Sequence, residues 1–161
     1  MSLNNDMREL KIMLLVFILV FIIIQFSRPE RNLNRQILPA DFSKSFNPPA
    51  NLQGILTNAC YDCHSNNTRY PWYTNIQPMA WIMGSHIKNG KDKLNFSEFR
   101  NYSISRQISK LKGIANSIKD GIMPLTSYEL MHKNARLTEA DKSLVIDWIE
   151  NKADSLSNNT R

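Results

Sequence analysis

The sequence contains only two cysteines among its 161 residues, Cys60 and Cys63. A disulfide between such close neighbours would constrain little of the chain, so the sequence does not describe a disulfide-stabilised domain. No segment alternates apolar and polar residues with the period of a strand, and no internal repeat is visible, which leaves helices. The net charge is +6, but the lysines and arginines are scattered rather than clustered among aromatic residues, so no nucleic-acid partner is expected.

Both cysteines belong to the stretch Cys60-Tyr61-Asp62-Cys63-His64, which has the C-x-x-C-H spacing of c-type haem attachment. In that chemistry two thiols add to the porphyrin vinyl groups, and the following histidine becomes the proximal iron ligand. A thioredoxin-type redox pair would need strand-rich surroundings, and a zinc site would need a second cysteine pair. We therefore predict one covalent haem c on Cys60 and Cys63, with its iron on His64.

The N-terminal region predicts export of the rest of the chain. Residues 1–9 are polar and are interpreted as a cytoplasmic N-terminus, and residues 10–26 as a transmembrane signal anchor. The alternative is a cleaved signal peptide, but no small-residue cleavage site follows the apolar run. Because covalent haem is acquired on the outer side of the membrane, we expect a single-pass protein of the bacterial inner membrane whose haem domain faces the periplasm.

Beyond the anchor, prolines and apolar periodicity divide the chain. Residues 27–48 hold several prolines and no sustained apolar period, so they are interpreted as a tether. Residues 49–152 are interpreted as the haem-binding domain, and residues 153–161 as a polar tail. In the domain, apolar residues recur at helical spacing before Cys60, from about 105 to 120, and from Thr138 to about 151.

The second informative stretch is Ile122-Met123-Pro124-Leu125, which follows a helix that Gly121 is placed to stop. Proline prevents the helix from continuing and fixes the loop that presents the methionine. Methionine is the usual partner of histidine in electron-transfer cytochromes, although buried methionines more often fill gaps in cores. Met123 is our predicted distal iron ligand; His86 is the main alternative, and His132 is a more distant one.

The order of helix, C-x-x-C-H, middle helices, Met-Pro loop and final helix resembles the class I cytochrome c fold. Three separated blocks also resemble the bacterial haem-binding domain family: the run from Cys60 to Pro78, the segment Leu94-Asn-Phe-Ser-Glu-Phe, and Met123-Pro-Leu-x-x-Tyr128. The resemblance covers roughly residues 40–152. It implies an all-α, cytochrome c-like domain around one covalent haem, outside the inner membrane and behind a single N-terminal helix, but it implies no reaction.

For the function, these observations favour a membrane-anchored electron carrier rather than an enzyme. With both axial positions filled, the iron changes oxidation state without opening to substrate, and a basic surface helps to dock an acidic redox partner. One alternative is a haem-based peroxidase or gas sensor with an open or weakly held distal site. Another is an accessory haem module of a larger redox complex.

Overall fold

The computed structural model describes residues 3–34 and 36–159. Within that part of the chain all regular elements are helical, and the only β-type pairing is an isolated antiparallel bridge between Leu33 and Asn67. The all-helical class predicted from the missing strand alternation is confirmed. The chain divides into two compact units: residues up to Arg31 with Tyr70–His86, and Asn32–Arg69 with the residues from Ile87 onward.

Eight α-helices occur in the described ranges, and they are α1 (Leu3–Ile24), α2 (Phe42–Phe46), α3 (Ala50–Ala59), α4 (Tyr61–His64), α5 (Met79–Lys93), α6 (Ile104–Lys119), α7 (Thr126–Met131) and α8 (Glu139–Asn158). Three 3-10 turns lie between them, at Trp72–Asn75, Phe96–Asn101 and Lys133–Ala135. The helices predicted before Cys60, near 105–120 and after Thr138 are all present.

Helix α1 carries the apolar run of the N-terminal region. No helix among the described residues is both long enough and apolar enough to cross a membrane, so the transmembrane helix predicted at 10–26 is not found. Charged residues occupy the N-terminal turns of α1, and the helix ends at Ile24. The segment from Ile12 to Ile24 is roughly 20 Å long at about 1.5 Å per residue, against a hydrocarbon core about 30 Å thick.

In the first unit, the buried side chain of Gln77 holds the segment after α1 to the start of α5. The Gln77 backbone N–H donates to Gln25 Oε1 at 2.9 Å, and its Nε2 donates to the Ser27 carbonyl at 2.6 Å. Trp81 Nε1 donates to the same carbonyl at 2.9 Å. These bonds satisfy the polar groups of a residue that is only 1% exposed.

The core of the second unit is built around Phe42, which corrects the interpretation of residues 27–48 as a tether. Phe42 is fully buried on the short helix α2, and Asp41 caps that helix by accepting from the Ser43 N–H at 2.8 Å. The Phe42 ring lies 5.0 Å from Phe99 and 5.1 Å from Phe96 between centroids. Tertiary packing of one aromatic ring therefore orders a segment that has no apolar period of its own.

Helices α6 and α8 pack along each other and contribute buried residues to the same core. The predicted start of α8 is confirmed, since Thr138 and Asp141 form a reciprocal capping box. Its predicted end is wrong. The helix continues to Asn158, with Ala153 buried and Leu156 packed against the core, so most of 153–161 is helical rather than a tail. Residues 1, 2, 160 and 161 of the two predicted termini lie outside the described residues.

Candidate functional site

The two cysteines lie at the junction of α3 and α4. Helix α3 ends at Ala59, and Cys60 leaves helical geometry with φ −127° before α4 turns through Cys63 to His64. The His64 N–H donates to the Cys60 carbonyl at 3.0 Å, which closes the turn. Both cysteines are free of disulfide bonds. The sequence prediction that a helix delivers the chain to Cys60 therefore agrees with the structure.

A cleft of about 1200 Å³, counting the part open to solvent, lies beside this junction. Cys60 and His64 of the motif line it together with Met123, which comes from the loop after α6. The apolar side chains that complete its walls are Ala59, Leu94, Phe96, Ile114, Ile118, Ile122, Pro124 and Leu137. Predominantly apolar walls with a few polar groups are typical of ligand and cofactor sites, so this cleft suits an apolar group.

The wall formed by α6 leaves room for such a group at Gly113. A Cβ built at this glycine would meet no atom within 4 Å, although the residue lines the cleft. No side chain of α6 therefore projects into the cleft at this position.

The imidazole of His64 is oriented for metal binding. Its Nδ1 lies 3.1 Å from the Leu94 carbonyl, which can only accept, so Nδ1 carries the proton and Nε2 keeps its lone pair. A backbone acceptor on the far nitrogen is the usual outer-shell partner of a metal-ligating histidine. Burial lowers the pKa of His64, with a smaller contribution from the Lys93 charge, and this favours the neutral ring that a metal requires.

The environment of the two thiols argues against the alternative uses of a C-x-x-C pair. Burial, followed by the neighbouring Cys63, raises the pKa of Cys60 to about 12, and burial followed by Asp62 raises that of Cys63 to about 11. Redox pairs and zinc ligands depend on a lowered thiol pKa. In the described part of the chain, no three His, Cys, Asp or Glu residues are grouped to hold a metal ion.

Met123 reaches the cleft through a turn that its backbone fixes. Gly121 has φ +66°, a left-handed conformation that glycine adopts without strain, and it ends α6. The N–H groups of Ile122 and Met123 then donate to the Ser117 carbonyl at 2.9 and 3.1 Å. The loop therefore folds back along the last turn of α6 and places Met123 in the cleft wall, as the glycine and proline predict.

Asp62, a variable position of the C-x-x-C-H spacing, connects this loop to the motif. Its buried carboxylate accepts from Tyr128 Oη at 2.6 Å, from the Arg69 backbone N–H at 3.0 Å and from Arg69 Nε at 3.1 Å. Tyr128 lies on α7, directly after the Met-Pro loop. Burial, followed by the bond to Asp62, raises the pKa of the Tyr128 hydroxyl, so it remains a donor. The cysteine motif and the Met123 loop are thus tied together.

Helix α5 approaches the motif at a glycine. A Cβ built at Gly90 would lie 2.6 Å from the Cys63 carbonyl oxygen and 3.1 Å from its carbonyl carbon. Both atoms belong to the backbone and cannot rotate away. The absence of a side chain at Gly90 therefore permits the close packing of α5 against α4.

The other predicted histidines lie elsewhere. His86 is on α5 and is not among the residues that line the cleft. His132 stacks on the Tyr128 ring at 3.9 Å between centroids, and its Nδ1 lies 3.0 Å from the Tyr128 carbonyl. Sequence reasoning missed Asp62, Tyr128, Gly90 and the Leu94 carbonyl as parts of the site, because their roles depend on contacts between distant segments.

The residues that line the cleft thus fit a haem: the Cys60 thiol, His64 with its Nδ1 at a backbone carbonyl, Met123 and apolar walls. Cys63 is not among the lining residues and lies one turn further on, in α4. In comparisons with known proteins, the model of a family described as haem-binding domain matches residues 19–151. No curated protein and no solved structure matches the chain. Since the match covers most of the sequence, the chain belongs to the haem-binding domain family.

Proposed function

We propose that this haem-binding protein is a c-type cytochrome that carries electrons. The observation that supports this proposal is the meeting of Cys60, His64 and Met123 in the wall of one apolar cleft. In the proposal, both thiols hold the haem as thioethers, His64 Nε2 is the proximal ligand and the Met123 thioether is the distal ligand. When bound, the haem supplies an iron that gains or loses one electron.

The protein residues have distinct tasks in this proposal. The Leu94 carbonyl fixes the His64 tautomer and thereby the direction of Nε2. The Ser117 carbonyl and the Asp62–Tyr128 bond hold the two ends of the Met123 loop. The apolar walls exclude water from the macrocycle and favour the neutral thioether as a ligand. With both His64 and Met123 bound to the iron, no ligand position would remain for a substrate, which would suit electron transfer.

The choice of Met123 over His86 can be tested on the haem-loaded full-length chain. We expect the oxidised protein to show the weak far-red absorption band of thioether-ligated iron, and Met123→Ala to abolish this band. His86→Ala, the matched control, should leave the band unchanged because His86 is not among the residues that line the cleft. If His86→Ala alters the spectrum and Met123→Ala does not, the ligand assignment is wrong. Rapid carbon monoxide binding by the unaltered reduced protein would instead favour the open-site peroxidase or gas sensor.

We also propose that α1 attaches the chain to the bacterial inner membrane, with the haem domain on the periplasmic side, where an acidic redox partner would meet the basic protein. Every side chain from Ile12 to Ile23 is at least 40% exposed, with Phe17 at 69%. A helix that is apolar on all sides needs an apolar environment, which a lipid bilayer provides.

Cell fractionation tests this attachment. We expect the full-length chain to sediment with membranes, to resist extraction by alkaline carbonate and to be released by detergent. The double variant Leu15→Glu with Leu19→Glu, which places charges at two exposed positions of α1, should shift the chain to the soluble fraction because charges in the bilayer core are costly. Recovery of the unaltered chain in the soluble fraction would contradict the proposal.

A further inference from the structure

Two lysines are the only charged residues that line the cleft in the described part of the chain, Lys93 at the end of α5 and Lys110 on α6. Lys110 Nζ donates to the Lys93 backbone carbonyl. The Lys110 ammonium group therefore lies beside the backbone of Lys93. The remaining polar side chains of the wall, apart from the iron ligands and Cys60, are the hydroxyls of Ser109 and Ser117. Positive charge is therefore concentrated at one part of an otherwise apolar cleft.

Within residues 3–34 and 36–159, neither lysine forms an ion pair with an acidic residue. The ion pairs among the described residues involve other cations, and Lys119 on the same helix α6 pairs with Glu150 at 2.5 Å. The Lys110 ammonium also lies 5.8 Å from the centroid of the Tyr102 ring. Two neighbouring cations without a counter-charge repel each other, and an anion placed between them would relieve that repulsion.

We propose that Lys93 and Lys110 bind the two propionate groups of the haem. Haem is an apolar macrocycle with two carboxylates on one edge, and the cleft offers apolar walls with two cations in one region. Lysine–carboxylate bonds are charge-assisted, and the two serine hydroxyls can add further donors. The pairing would orient the macrocycle in its own plane while the cysteines attach it. This inference extends the haem site beyond its covalent and axial residues.

A reversible haem titration measures the contribution of the propionates to binding separately from that of the macrocycle. The full-length chain with Cys60→Ala and Cys63→Ala is titrated with iron protoporphyrin and with its dimethyl ester, which lacks the carboxylates. Adding Lys93→Met and Lys110→Met removes both charges and keeps side-chain length. We expect affinity for the diacid to fall about 2- to 25-fold, since an ion pair near the surface contributes about 1.4- to 5-fold. Affinity for the ester should not change.

Lys112→Met is the matched control, because Lys112 is exposed on α6 and does not line the cleft. An equal loss for diacid and ester, or an equal loss in the control, would overturn the proposal. The ester also distinguishes the carboxylates of haem from those of an acidic partner protein. Iron protoporphyrin and its dimethyl ester differ only in the haem carboxylates, so lysines that bind a partner protein would not discriminate between the two ligands.

A second measurement uses the covalently loaded protein. The propionate bending band in its resonance Raman spectrum should shift in the Lys93→Met, Lys110→Met variant and not in Lys112→Met. An unchanged band in a fully loaded variant would contradict the lysine proposal alone. A chain that binds haem neither reversibly nor covalently would instead contradict the proposed function.

Discussion

Gly90→Ala should destabilise the protein by about 2 kcal/mol, although alanine is the better helix former. A Cβ at this position would lie 2.6 Å from the Cys63 carbonyl oxygen, so either α5 or the cysteine motif must move. Overpacking costs about 1 to 3 kcal/mol, and a clash with backbone atoms falls at the upper end of this range because they cannot rotate away. Helix propensity returns roughly 1 kcal/mol of that cost. Because the displaced residue is Cys63, we also expect less haem to be attached. Urea unfolding of the full-length chain in detergent gives the free energy of unfolding.

Gly54→Ala is the control for this change. Gly54 lies inside α3 in the same unit, and a Cβ there would meet nothing within 4 Å. This variant should gain about 0.5 to 1 kcal/mol, because alanine loses less backbone entropy on folding. Equal stability of Gly90→Ala and Gly54→Ala would show that the contact between α5 and Cys63 tolerates a side chain.

Removal of both thiols should abolish covalent haem attachment completely, because the chain has no other cysteine. Each single variant, Cys60→Ala or Cys63→Ala, keeps one sulfur that can form a thioether and should still retain haem after unfolding. The double variant should release all of its haem into acidified butanone. The measurement is the fraction of haem that stays with the precipitated chain.

Met123→Ala serves as the control for the cysteine variants. A distal ligand contributes no covalent bond to the macrocycle, so this variant should keep its haem through the same extraction. Retention of haem by the double cysteine variant would rule out thioether attachment at Cys60 and Cys63.

Local patterns in the sequence predicted the main helices of the second unit. Apolar residues at helical spacing indicated α3, α6 and α8. The N-cap at Thr138 and the helix end at Gly121 also lie where the sequence predicted them. The same reasoning could have extended the predicted α8 beyond residue 151. Its stripe of Val145 and Ile149 continues to Ala153 and Leu156 at the same spacing.

Features that depend on contacts between distant segments could not be predicted in this way. Phe42 stands in a proline-containing, polar segment, and only its aromatic neighbours in the folded chain show that it is a core residue. A glycine inside a helix has many explanations, so the sequence alone did not show that Gly90 contacts Cys63. The bond from Tyr128 to Asp62 joins residues 66 positions apart, and no local pattern indicates such a pair.

The candidate site was predictable where its chemistry lies in adjacent residues. The Cys60–His64 stretch and the Met-Pro loop were recognised from spacing alone, and both supply side chains to the same cleft. Their supporting groups were not recognised, since a backbone carbonyl such as that of Leu94 has no signature in the sequence.

The mass of the intact, denatured full-length chain, produced in cells that attach c-type haem, tests the central claim most directly. We predict that the chain carries the added mass of one haem, that this addition survives denaturation, and that Cys60→Ala with Cys63→Ala removes it. A wild-type chain with the mass of the polypeptide alone, in cells that load a known c-type cytochrome, would contradict the account.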